Sequence, residues 1–383
     1  MDSNKAEYKR LGDYIREVDV RNRNLEVTKL MGINIGKYFM PSVANVIGTD
    51  LSNYKIVEKG LFACNLMHVG RDEKMPIALL DTNEPIIVSP AYWVFGISDT
   101  TQLLPAYLML WFRRNEFDRN TWFYTDNDVR GGMSKEALMD MALPIPPIEQ
   151  QQKIVSEYEA VTHRIHLNEQ IIANLEETAQ ALYRKMFVDE IDKEHLPEGW
   201  RIGTLREYCK EIKSGGTPSR SNIEYWNSKD YCWLKTGEVQ NNVIFDTEEY
   251  ITAAGLNNSS AKIIPCGSII MAMYGATAGQ VAYLDSEATT NQACCNMICH
   301  TKEDSAFLFF HLLYYQEEIK RLANGGAQEN LSQEIIASYS ILLFDDSKKK
   351  FMFVKLLDFI INKYKEYSIL TELQSLLLAK MGK

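Results

Sequence analysis

A heptad pattern occurs twice in this chain at corresponding positions, and that repetition limits the possible folds more than any single motif. Ile154, Tyr158, Val161, Ile165, Asn168, Ile172, Leu175, Ala179, Leu182 and Met186 alternate steps of four and three. Phe353, Leu356, Ile360, Lys363, Tyr367, Leu370, Gln374, Leu377 and Met381 step in the same way. Seams sustained over this length predict coiled-coil helices. Their ends, Leu182-Tyr183-Arg184-Lys185-Met186 and Leu377-Leu378-Ala379-Lys380-Met381, align at an offset of 195 residues. Asn168 and Lys363, each polar on its seam, correspond at the same offset. A polar seam residue fixes register at some cost in stability.

Charge favours pairing of the two helices with each other. Residues 144–194 carry 5 Lys/Arg and 10 Asp/Glu, whereas residues 346–383 carry 8 and 4. Self-association would set like charges side by side. A domain-sized block separates the helices, so the pair is expected to be antiparallel. About 40 residues at ~1.5 Å each give a rod of roughly 60 Å at most, against ~34 Å for one turn of duplex DNA. The expected organisation is a first head at 1–146, a helix and hinge at 147–194, a second head at 195–345 and a closing helix at 346–383. Two similar heads on paired helices make a ruler suited to a bipartite target.

At 383 residues and 46% hydrophobic content, the chain has enough apolar material for two cores. It shows no N-terminal apolar run like a signal peptide and no stretch of about 18 apolar residues. Seven cysteines without a regular framework fit a reducing cytosol, so a cytoplasmic location is expected. The formal net charge of -10 argues against strong nucleic-acid binding by the chain alone. Residues 1–143 hold 17 basic and 19 acidic side chains, and residues 195–345 hold 11 and 18. Phosphate contacts are local, so clustered cations on an acidic domain can still grip DNA, weakly and with strong salt dependence. A partner is expected to supply much of the grip.

Both heads read as β-rich, which makes the fold class α+β: two β-rich domains with a pseudo-twofold internal repeat, separated by two long antiparallel helices. The second head opens on the hinge Leu196-Pro197-Glu198-Gly199-Trp200 and runs into Lys213-Ser214-Gly215-Gly216-Thr217-Pro218-Ser219-Arg220, then Trp226. This Gly-Gly-Thr-Pro turn cannot continue a helix. It either exposes amides for a phosphate or simply joins two elements. Strand-like runs follow at Tyr231–Lys235, Ser268–Tyr274 and Gln280–Leu284, the last two joined by Gly275-Ala276-Thr277-Ala278-Gly279. The first head has similar runs at Gly60–Asn65, Ile77–Leu80 and Pro85–Val88. Amphipathic helical segments follow at Leu104–Arg114 and Ala306–Leu322. Each head closes on paired glycines, Arg130-Gly131-Gly132-Met133-Ser134 and Asn324-Gly325-Gly326-Ala327-Gln328, then on an apolar strand, Met141–Ile145 or Tyr339–Phe344. Paired glycines are a tight turn by default and also permit close approach to DNA.

Catalytic motifs are missing. The chain has no G-x-x-x-x-G-K-[ST], no G-x-G-x-x-G after a strand and no N/D-P-P-Y/F quartet. His163 and His166 read as solvated helix flanks. Cys294, Cys295, Cys299 and His300 lack the paired C-x-x-C spacing of zinc sites and read as buried strand. No nucleophile, base and orienting acid assemble, so no catalysis and no bound metal or cofactor are expected of this chain alone.

Four segments carry a family resemblance. Leu143-Pro144-Ile145-Pro146-Pro147-Ile148-Glu149-Gln150-Gln151 with its heptad helix, the Leu196–Trp200 hinge, Lys213-Ser214-Gly215-Gly216-Thr217-Pro218, and Tyr274-Gly275-Ala276-Thr277 with Asn291-Gln292 together resemble the specificity subunits of type I restriction–modification enzymes. The second head departs from the pattern by ending Leu343-Phe344-Asp345-Asp346-Ser347, and the first lacks the Pro-Glu-Gly-Trp and Gly-Thr-Pro motifs. The resemblance implies a non-catalytic DNA reader in which each recognition domain reads half of an asymmetric, interrupted sequence. The helices would set the unread spacer and dock two methyltransferase subunits. Those subunits, using S-adenosylmethionine, would methylate adenine at N6. ATP- and Mg-dependent translocase–nuclease subunits would complete the restriction enzyme. Candidate DNA contacts are Arg21, Arg23, Asn24, Lys29, Arg71, Arg130 and Ser134 in the first head. In the second they are Lys213, Ser214, Thr217, Ser219, Arg220, Lys235, Tyr274, Thr277 and Asn324. Arg and Asn can make bidentate contacts to guanine and adenine. The competing expectation is a protein-binding scaffold that never touches DNA.

Overall fold

The computed structural model describes residues 8–43, 48–67, 69, 73–125, 132–192, 194–322 and 330–382. They form two compact units, residues 1–165 with 370–383, and residues 166–369. Among the described residues, no helix is long and apolar enough to cross a membrane.

In the first unit the strands are β1 (Tyr8–Arg10), β2 (Ile15–Glu17), β3 (Met31–Ile33), β4 (Phe39–Pro41), β5 (Lys55–Val57), β6 (Phe62–Cys64), β7 (Ile77–Leu79), β8 (Ile86–Val88), β9 (Trp93–Ile97) and β10 (Ala142–Pro144). The inner sheet has the order β2-β9-β6-β7 and is antiparallel throughout. Phe62, Phe95 and Trp93 point from it onto the helix Pro105–Phe112, whose Tyr107, Leu108 and Phe112 are buried. That helix starts on Pro105, where a missing N–H costs nothing. An outer layer pairs β3 with β4 and β5 with β8, and a Leu30–Ile87 bridge links the two pairs. β1 and β10 pair antiparallel, with Tyr8 opposite Pro144, so the domain leaves its scaffold from one two-stranded ribbon.

The second unit repeats this plan. Its strands are β11 (Arg201–Thr204), β12 (Glu211–Ser214), β13 (Tyr231–Leu234), β14 (Asn242–Ile244), β15 (Glu249–Ile251), β16 (Ile263–Ile264), β17 (Ile269–Ala272), β18 (Val281–Leu284), β19 (Ala288–Thr290), β20 (Cys294–Ile298) and β21 (Ser340–Leu343). The inner order β12-β20-β17-β18 matches that of the first unit, with β14 added parallel to β18. The outer sheet is β15-β13-β19-β16. The closing ribbon pairs β11 with β21. Cys294 and Cys295 lie buried in β20, as the sequence reading of that run requires.

The long helices are Ile148–Arg184 and Ser347–Lys380. In the first unit they run antiparallel: Gln374 donates to Thr162 Oγ1 at 2.7 Å, and Ile154 and Tyr158 share a core with Leu377 and Met381. In the second unit they are antiparallel as well. Lys363 Nζ donates to Asn168 Oδ1 at 3.3 Å, Tyr364 donates to Glu176 at 3.1 Å, and Tyr183 meets Phe353 edge-on. Tyr158, Asn168, Ile172, Ala179, Phe353, Ile360 and Met381 are buried. Val161, Ile165, Leu175, Leu182, Met186, Leu356, Lys363, Tyr367, Leu370 and Leu377 are half-buried. The first long helix ends in a single wide turn, Lys185–Asp189, which carries Phe187 into the second domain's core against Trp200, Phe307 and Phe344.

The two ribbons hand over to these helices by different chemistry at equal length, three residues each. After β10 the link is Ile145-Pro146-Pro147; after β21 it is Phe344-Asp345-Asp346. Asp346 replaces the prolines by capping its helix, accepting from the Lys349 N–H at 3.1 Å. The departure in sequence therefore leaves the architecture unchanged. Just inside each helix a buried polar side chain ties it to its domain. Gln151 accepts from the Leu104 N–H and donates to the carbonyls of Gln102 and Pro146, while Lys350 donates to Asp304 at 2.7 Å.

Candidate nucleic-acid interface

In the second domain the candidate residues fall into two groups. Lys213 and Ser214 end β12, with Lys213 paired to Glu211 at 3.1 Å and Ser214 donating to Gln333 at 2.7 Å. The remaining described candidates gather on the outer sheet and the turns beside it. Arg220 stacks on the ring of Trp226 at 3.7 Å, lies over Trp233 at 4.7 Å, and pairs with Glu249. Lys235 bonds Glu248 at 2.9 Å and Glu249 at 3.0 Å. Ser219 bonds Ser221, and Thr217 donates to Gln292. Thr277 donates to the Thr236 carbonyl at 2.8 Å, which joins the Gly275–Thr277 turn to the segment following Lys235. Tyr274 stands exposed at the start of that turn.

This group is charge-compensated. The Arg220 hydrogen bond, opposed by partial burial and aided by Lys235, holds the Glu249 carboxyl below its ordinary range. Glu248 and Glu249 in turn raise the Lys235 ammonium. An open cleft of about 360 Å³ lies here, lined by Arg220, Trp226, Lys229, Glu248, Glu249 and Tyr250. A guanidinium flat on indole is held rigidly, and the carboxylates beside it can accept from a base amino group.

In the glycine turn the Gly216 amide faces the protein and is not available to a phosphate. The Gly216 N–H donates to the Thr290 carbonyl at 2.8 Å, and the Gly216 carbonyl accepts from Trp233 Nε1 at 3.0 Å. A Cβ on Gly215 would lie 2.1 Å from the Thr290 oxygen, and one on Gly216 would lie 2.3 Å from Ser260 Oγ. The glycines admit close backbone packing between the inner and outer sheets; Gly216 has its N–H committed inside the protein.

The first domain's candidates are more dispersed. Arg21 pairs with Asp19 at 2.8 Å and donates to the Asn53 carbonyl. Arg23 and Asn24 are exposed, Asn24 lying 3.4 Å from Glu26. Lys29 pairs with Glu84. Ser134 caps the helix Lys135–Met139, accepting from the Ala137 N–H at 3.1 Å. Arg71, Arg130 and Asn324 lie outside the described residues.

Comparison with known proteins gives the likeness. Residues 197–373 match the type I restriction modification DNA specificity domain. The type I restriction enzyme HindI specificity subunit of Haemophilus influenzae is 25% identical over 97% of this chain and 97% of its own length. A crystal structure of the type I restriction–modification S subunit of M. genitalium superposes with a TM-score of 0.62 at 14% identity, over 100% of this chain and 97% of that one. Residues 197–373 thus carry a type I DNA specificity domain, and the chain over nearly its whole length is similar to type I restriction–modification specificity subunits. The full-length correspondence makes both units of this chain part of the likeness, although the domain match itself falls almost wholly within the second. Sequence reasoning missed Gln151 and Lys350 as anchors. The Gln-Gln run at the helix start was the available signal for the first, since a glutamine run opening an apolar helix has to satisfy its amides somewhere.

Proposed function

We propose that this specificity subunit reads a bipartite, asymmetric DNA target, with each β-rich domain recognising one half and the paired helices setting the unread spacer. The observation that carries this reading is the repeated plan: the same inner strand order and the same closing ribbon occur in both domains. Two similar folds with different outer surfaces suit two different half-sites. Methyltransferase subunits using S-adenosylmethionine would dock on the helices and methylate adenine at N6, and ATP- and Mg-dependent restriction subunits would join them in the cytoplasm. Met352, Phe359, Ile369 and Leu376 stand exposed off the seam of the C-terminal helix, which supports a helix-face partner. The pairing of Arg220 and Lys235 with carboxylates supports a reader that needs that partner's share of phosphate contacts.

The test is to co-express the chain with its methyltransferase partner and map methylated adenines across a host genome. A single interrupted motif, modified on both strands and dependent on this chain, is expected. Inserting one matched heptad in each helix should then lengthen the spacer and leave both half-sites unchanged. A stable, active complex that yields no new motif would favour a protein scaffold, and altered half-sites in the heptad variant would sink the ruler.

A further inference from the structure

One loop occupies the same topological position in both domains: the crossover from the edge strand of the inner sheet to the outer sheet. It spans residues 18–30 between β2 and β3, and residues 215–230 between β12 and β13. In each, an aliphatic side chain stands in solvent at the tip, Leu25 at 53% exposure and Ile223 at 78%. Each follows an arginine by a few residues, Arg23 or Arg220.

Both tips are held firmly by an asparagine. Asn22 is buried; its amide donates to the Val27 carbonyl at 2.8 Å and accepts from the Val27 N–H at 3.2 Å, closing the loop on itself. Its own N–H is braced on the Tyr54 carbonyl, and the Leu25 N–H bonds back to the Asn22 carbonyl. Asn222 accepts from the Glu224 N–H at 3.1 Å and starts the short turn Ile223–Tyr225, which Thr252 anchors through the Tyr225 carbonyl. Arg23 has no carboxylate partner among the described residues.

A lone exposed aliphatic residue is ordinary on a protein surface. Leu25 is not ordinary, because its φ is +56°, a backbone region that glycine and asparagine adopt more readily than leucine. Local conformation and solvation both disfavour leucine there, and the corresponding loop of the second domain exposes Ile223. Neither side chain contributes to the core of its domain.

We propose that Leu25 and Ile223 are wedges that press against a base step when each domain docks on duplex DNA, with Arg23 and Arg220 beside them for phosphate or guanine edges. Apolar side chains used in this way unstack a step and widen the protein's contact with the groove. This inference rests on the DNA-reading role proposed above.

The test uses the purified complex of the full chain with its methyltransferase partner, and duplexes bearing the mapped motif. Each duplex carries 2-aminopurine in one half-site, away from the methylated adenine. Leu25→Asn removes the wedge and suits the left-handed backbone, so its melting temperature should equal or exceed that of the unaltered chain. It should bind the duplex about tenfold more weakly, the cost typical of one lost base-step contact. It should also lose the fluorescence rise in one half-site only, and Ile223→Ala should do the same for the other half. Unchanged affinity and fluorescence in both variants would overturn the wedge. So would failure of Leu25→Asn to assemble with the methyltransferase at unchanged DNA affinity, which would mark the tip as a protein contact. Absence of any motif from the unaltered complex would overturn the reading beneath it as well.

Discussion

The two recognition domains share an inner sheet and differ in the outer one. In the first domain, β3 and β4 are joined by five residues, Asn34–Tyr38, and the hairpin is pinned by a buried ion pair. Lys37, at φ +66°, reaches from the hairpin to Asp118 at 2.8 Å and to the Phe112 carbonyl. In the second domain, the equivalent strands β13 and β15 are joined by a 14-residue excursion, residues 235–248, that adds β14 to the inner sheet. Here the outer sheet is pinned by the glycine turn, by Trp233 and Trp226, and by the Arg220–Glu249–Lys235 cluster. One plan has two means of fastening its outer layer, one by a buried charge and one by close backbone contact. The inner sheet keeps one strand order in both domains, whereas the outer layer differs between them.

That contrast predicts unequal responses to substitution. The largest effect should come from Lys37→Met, which leaves Asp118 buried without its cation and should cost about 3–5 kcal/mol in urea unfolding. A second change, Asp118→Leu, should restore part of it, and a loss below ~1 kcal/mol for Lys37→Met would show that the hairpin is fastened elsewhere. Gly216→Ala should destabilise the second domain by about 1–3 kcal/mol, since its Cβ would meet Ser260. Gly237→Ala, where a Cβ meets nothing within 4 Å, is the matched control and should be neutral. If both alanines behave alike, close packing is not what the glycine turn provides.

The smallest effect concerns acid. Glu249 has its carboxyl held down chiefly by Arg220, so the unfolded chain binds its proton more readily than the folded one. The resulting stability is present above the ordinary glutamate value near ~4.3 and is lost as pH falls through the lowered value. Because the pair is partly exposed, the gain should stay below ~1 kcal/mol. Tryptophan emission from Trp226 and Trp233 should shift below pH ~4, and Glu249→Gln should abolish that step while leaving the first domain unaffected.

Much of this was legible in the sequence, for identifiable reasons. The long helices announce themselves because a seam repeats at one spacing over many turns, and apolar runs such as Ile77–Leu80 and Gln280–Leu284 leave little choice but a buried strand. The ribbons were half legible: the apolar closing runs Met141–Ile145 and Tyr339–Phe344 stand out, but their partners Tyr8–Arg10 and Arg201–Thr204 lie more than a hundred residues away and are too polar to be noticed. The hairpin at Met31–Pro41 was missed because its strands are three residues long and its stability comes from Lys37, a residue type that sequence reasoning assigns to the surface. Gly215 and Gly216 were recognisable as special, but a glycine does not state whether it makes room for a ligand or for the chain itself. Arg220 was found by its type, whereas its indole stack depends on Trp226 and Trp233 arriving from separate segments.

Each closing ribbon brings the first and last strands of a recognition domain side by side, with three residues between the last strand and its helix. Everything between those strands, from first to last, is bracketed by one pair of adjacent seams. A recombination event with breakpoints in the codons of β1 and β10, or of β11 and β21, would therefore transplant a whole domain in frame. In this geometry, an entire domain can be inherited as a single block of coding sequence.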